Sequence, residues 1–196
     1  MSVKERSVRE KVGNYVYGQI TLLADNMKNS GGKAMLAKLR RGAGKTPGEL
    51  PELWGLFLNN IPDEMMSKNG EPTRAEWAIY LSLTLFALHQ QGNSDSVHAE
   101  KISLGKAAAL LMNEPTDDER ERILRRFGPV VTAKDMSELS HHMRCLIELI
   151  RSKGIKLDYV MLAKDIYDFQ FDEGKKKIQL RWGQDYYYID KGEKLL

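Results

Sequence analysis

Apolar residues recur along this chain at steps of three and four rather than two. Val8, Val12, Tyr15, Val16, Ile20 and Leu23 fall on one side of a helical projection and predict a first amphipathic helix. Asn29-Ser30-Gly31-Gly32 is expected to stop it, since these residues break a helical pattern. Lys33 to Arg41 reads as a short helix, and Gly42 to Pro51 as a loop rich in Gly and Pro. Pro51 suits the first turn of the next helix, where its missing N–H costs nothing. Leu53, Trp54, Phe57 and Leu58 would form that helix's apolar face.

Further starts are marked by side chains that cap helices. Thr73 precedes Glu76 by three, Thr116 precedes Glu119 by three, and Asp135 precedes Glu138 by three. In that spacing the cap oxygen and the acid satisfy each other's backbone N–H groups. The helix from Thr73 to about Gln91 is the most apolar in the chain. A polar loop, Gly92 to Ser96, follows it, and Ser103 to Met112 is a further helix. Leu139, Met143, Leu146 and Ile150 make a continuous stripe, with Gly154 as a C-terminal stop. Asp158 caps a helix through Phe169. Lys175 to Tyr188 is ambiguous: Ile178, Leu180 and Trp182 alternate as in a strand, but a lone strand would have no partner. The fold class is therefore all-α, a compact helical protein of two small helical halves. The halves are placed at 1–95 and 96–196, with the boundary between Gln91 and Lys101; one continuous domain is the other arrangement.

Composition narrows the class. A chain of 196 residues that is 42% hydrophobic can build a core, which argues against disorder. The formal net charge of +3 is mild, so the distribution of charge matters more than its sum. Cys145 is the one cysteine, which precludes an intrachain disulfide and suits a reducing cytosol. The start of the chain lacks a signal-peptide core, and no apolar run is long enough to span a bilayer. The expected location is the cytoplasm, with no membrane partner.

Few motifs point to catalysis. Gly44-Lys45-Thr46 is the ending of a phosphate-binding loop, but the glycine needed at the loop's start is replaced by Leu39, inside a predicted helix. His141 and Cys145 are one helical turn apart and could share a metal, yet a closed zinc site needs four ligands. Asp63-Glu64 and Asp117-Asp118-Glu119 sit at helix starts, where the dipole favours negative charge. No catalytic residue, no metal ligand set and no cofactor is assigned.

The basic residues carry more information. Lys28, Lys33, Lys38, Arg40, Arg41 and Lys45 follow one another with no acid between Lys28 and Lys45. Arg125 has Glu121 four residues before it, the favourable order for a helical ion pair. Arg126 has Arg122 in that position instead, which makes it a better candidate for phosphate. Lys106 has Ile102 and Leu110 as its four-residue neighbours. Arg144 and Arg151 share one helix face, with Glu148 between them as a partial neutraliser. The candidate nucleic-acid-binding set is Arg40, Arg41, Lys106, Arg126, Arg144 and Arg151.

Several ordered segments together resemble the CasB family, the small subunit of the Escherichia-type CRISPR Cascade surveillance complex. They are Leu39-Arg40-Arg41-Gly42 with Pro51-Glu52-Leu53-Trp54, Ser103-Leu104-Gly105-Lys106-Ala107, Arg125-Arg126-Phe127, Met143-Arg144, Leu157-Asp158-Tyr159 with Leu162-Ala163, and Trp182-Gly183-Gln184-Asp185-Tyr186-Tyr187. Gln184 departs from the family, where arginine is frequent. The resemblance implies an all-helical fold, no catalytic activity, and two copies of the subunit lying along guide RNA and target DNA. It also implies contacts with the large subunit and backbone subunits, and puts the basic positions Arg41, Lys106, Arg126 and Arg144 against nucleic acid. The alternative is a free-standing helical DNA-binding regulator, which would need a recognition helix reading base edges.

Overall fold

The computed structural model describes residues 2–114 and 116–188. The outer ends of both expected halves, residue 1 and residues 189–196, lie outside them. Among the described residues the fold is all-α. The helices are α1 (Val3–Asn26), α2 (Ser30–Arg41), α3 (Trp54–Phe57), α4 (Arg74–His89), α5 (Leu104–Ala109), α6 (Asp117–Thr132), α7 (Met136–Ser152), α8 (Tyr159–Phe169) and α9 (Asp172–Tyr187). One isolated bridge, His98 with Leu157, is the sole strand-like pairing among the described residues.

The cap side chains act as their spacing predicts. Thr73 accepts from the Glu76 N–H while Glu76 accepts from the Thr73 N–H at 2.7 Å, a complete capping box. Thr116, Asp135 and Asp158 accept from the N–H groups three residues on. Asn29 departs from expectation. It does not end α1 but opens α2, accepting from the Gly32 N–H at 2.8 Å. Gly31 and Gly32 therefore lie inside a helix. The reason is crowding: a Cβ at Gly32 would stand 2.0 Å from the Asn26 carbonyl oxygen, so only glycine lets α2 start this close to the end of α1.

α4 is the axis of the molecule. Apart from Arg74 and the half-buried Trp77, every residue of this helix is buried. It packs against α1, α2, α7 and α8, so helices from both sides of the 91–101 loop meet on it. Tyr80 is fixed edge-on to Phe57, and Phe86 edge-on to Tyr159. α9 resolves the ambiguous segment. Ile178, Trp182 and Tyr186 are buried at four-residue steps, while Leu180 is 64% exposed, so the pattern is helical. α9 seats on α5 and α8, where the buried Asp165 accepts from Trp182 Nε1 at 2.8 Å and also pairs with Arg181.

Candidate nucleic-acid interface

The last turn of α2 carries Lys38, Arg40 and Arg41, where cations complement the carbonyl end of the helix dipole. Leu39 is buried and anchors the inner face, which turns Arg41 to solvent. The chain then enters a loop pinned from below. The Tyr80 hydroxyl donates to the Gly42 carbonyl at 3.2 Å, and a Cβ at Gly42 would stand 2.6 Å from Leu53. Leu39 and this preceding helix are also why Gly44-Lys45-Thr46 is no phosphate loop: α2 leads into it, and Lys45 is paired with Glu49.

Arg144, from α7, reaches across to that loop. Its Nη1 donates to the Ala43 carbonyl at 3.4 Å, while its Nε lies 3.4 Å from Glu148. Arg41 thus leads into the loop that Arg144 holds at Ala43. About two turns along α7, Arg151 donates to Gln91 Oε1 at 2.7 Å and to the Leu88 carbonyl, closing the C-terminal end of α4. Arg40 borders a cleft of about 330 Å³ that Gln91, Gln90 and Lys33 also line. Arg40, Arg41, Arg144 and Arg151 are therefore gathered on one rim, made by α2 and α7 where both pack on α4.

The remaining two candidates stand on neighbouring helices. Lys106 is half-buried on α5, which touches α6 and α7. Arg126 is exposed on α6 and has no carboxylate partner among the described residues. Arg125 lies 3.9 Å from Glu121, in the pairing its spacing predicts. Arg122 pairs with Glu119 at 3.0 Å.

Sequence spacing missed the partners brought by tertiary contact. Arg41 lies 3.0 Å from Glu52, eleven positions away, and so is not an uncompensated charge. Gln91, which takes the Arg151 hydrogen bond, carried no signal beyond polarity. Trp54 was expected on an apolar face and is instead 49% exposed beside this loop.

His142 lies 3.6 Å from Glu138, and Cys145 is exposed. Among the described residues no group of three or more His, Cys, Asp or Glu side chains is placed to hold a metal ion. His89 is buried against the Tyr159 hydroxyl at 3.0 Å, and burial pushes its pKa down to about 4. No helix among the described residues is long and apolar enough to cross a membrane.

The model of the CRISPR-associated protein Cse2 family matches residues 35–187. The chain superposes on the crystal structure of CasB from Thermobifida fusca with a TM-score of 0.75 and 30% identity, over 90% of this chain and 98% of that one. A Cse2-family CRISPR-associated protein from Thermus thermophilus shares the fold, with a TM-score of 0.66 and 20% identity over 88% of this chain and 97% of that one. No curated protein sequence matches at a significant level. Both the segments that resemble CasB and the helical frame that carries them are thus accounted for, and the chain belongs to the Cse2 (CasB) family of CRISPR-associated proteins.

Proposed function

We propose that this protein is a non-catalytic subunit of a CRISPR RNA-guided surveillance complex that grips nucleic-acid backbone without reading sequence. The observation that carries this reading is the rim on which Arg40, Arg41, Arg144 and Arg151 converge from two helices. Lys106 and Arg126 extend the positive surface over the adjacent helices. In RNA-guided recognition base pairing reads the sequence, and strand exchange is nearly balanced in energy. A few phosphate contacts are then enough to tip the balance towards the open R-loop and the displaced strand. The partners are guide RNA, target DNA, a second copy of this chain, and the large and backbone subunits of the complex. The place of action is the cytoplasm.

The test is target-DNA affinity of the reconstituted complex across a salt series. With about four phosphate contacts, the log–log slope should fall near −3 to −4. Arg144→Ala and Arg126→Ala should each weaken binding and make the slope shallower by roughly one unit. Arg125→Ala should do less, because Glu121 already stands beside that side chain. A flat salt response, or strong preference for one duplex sequence, sinks the reading.

A further inference from the structure

Trp54 is placed as a tryptophan seldom is. Trp182 is fully buried and Trp77 half-buried, but Trp54 keeps 49% of its surface in solvent. It borders an open cleft of about 160 Å³ that Pro47, Gly48, Leu58 and Pro72 also line. The cleft wall is open at Gly48, where a Cβ would meet nothing within 4 Å.

The setting gives this surface a direction. Pro47 and Gly48 belong to the loop that begins at Gly42, whose Ala43 carbonyl is held by Arg144. Glu52, two residues ahead of Trp54, is the partner of Arg41. The indole thus stands on the segment that Arg41 and Arg144 hold, two residues past Glu52, although the cleft it borders is itself apolar apart from Ser67 and Glu76. The carboxylates nearby are already engaged: Glu49 with Lys45, Glu52 with Arg41, and Glu76 with the Ser67 and Thr73 N–H groups. Cationic side chains and an exposed flat aromatic on one segment are the two components of a single-strand platform, because every base offers a face for stacking whatever its identity.

We infer that Trp54 stacks an unpaired base of single-stranded nucleic acid whose phosphates lie on the Arg41–Arg144 rim. This rests on the backbone-gripping function proposed above and adds to it a preference for single strand. A duplex keeps its bases stacked on one another and offers none to the indole.

The experiment uses the full chain, an oligothymidylate single strand and a duplex of equal length, followed by anisotropy and by tryptophan fluorescence. Single strand should quench the emission. Trp54→Ala should remove that quench and weaken single-strand binding by roughly 5- to 100-fold. Its duplex binding and salt slope should stay as in wild type. Trp54→Phe, which keeps an aromatic face, should retain most of the affinity and serves if the alanine variant is unstable. Arg144→Ala should lower the salt slope but keep the quench at saturation. Normal single-strand binding by Trp54→Ala and by Trp54→Phe, with Arg144→Ala still weakened, overturns the stacking role alone. Wild-type protein that binds neither strand overturns both readings. Loss of assembly with the other subunits in Trp54→Ala, at unchanged strand affinity, assigns the indole to a protein partner and overturns the inference.

Discussion

At the scale of single residues, the rim is not a row of idle charges. Arg41 is held by Glu52, and Arg144 by Glu148, in pairs that face solvent. Exposed pairs of this kind are worth at most about 1 kcal/mol, so a phosphate can displace the carboxylate at small cost. Glu52→Gln should therefore tighten nucleic-acid binding several-fold, read from the same salt series as a parallel upward shift. Unchanged affinity would mean that Arg41 does not leave Glu52 for phosphate. His89 offers a second test, away from the rim. Burial lowers its folded pKa to about 4, below the 6.5 of an exposed imidazole. Between those values the unfolded chain binds a proton that the folded chain refuses. Stability is thus complete above pH 6.5 and declines as pH falls towards 4, by about 3 kcal/mol from this group. Urea midpoints at pH 7 and pH 4.5 measure the decline, and His89→Gln, which cannot titrate, should reduce the difference between them.

At the scale of elements, most of the helices were legible because cap and stripe coincide. Thr73, Thr116, Asp135 and Asp158 each stand next to apolar residues at helical spacing, so local and long-range signals agree. α9 lacked that agreement. Its N-cap, Phe171, makes no side-chain cap bond, and its buried stripe is a single line of Ile178, Trp182 and Tyr186. Three alternating residues, Ile178, Leu180 and Trp182, were enough to mimic a strand. What holds α9 in place is tertiary: Asp165, raised in pKa by burial and held against that shift by Arg181, accepts the indole N–H of Trp182. Trp182→Phe keeps the ring packing and removes the donor. It should destabilise the protein by about 2–3 kcal/mol, seen as a lower urea midpoint at unchanged slope, because a buried carboxylate loses a bond it cannot replace. The arginines of the rim could be picked out of the chain, Arg40 and Arg41 by their basic run and Arg144 and Arg151 by their shared helix face. Their partners could not. Spacing arguments reach one helical turn, whereas Glu52 comes to Arg41 through a loop and Gln91 comes to Arg151 from the turn that follows α4.

At the scale of the whole molecule, α4 joins segments that are remote in the chain. α1 and α4 are both covered by α8, which lies more than sixty residues beyond the end of α4. A fragment of residues 1–95 retains α1 to α4 but leaves that face bare. It should show helical circular dichroism without a cooperative thermal transition, and addition of the 96–196 fragment should restore one. The same arrangement sets a schedule for the ribosome. α4 leaves the exit tunnel well before α8 does, so for an interval the most apolar helix of the protein is exposed with one flank unshielded. At roughly 5–20 residues per second that interval lasts several seconds. Synthesis at high rate would then favour aggregation of nascent chains, and slowing it, by lower temperature or weaker induction, would raise the yield of folded protein.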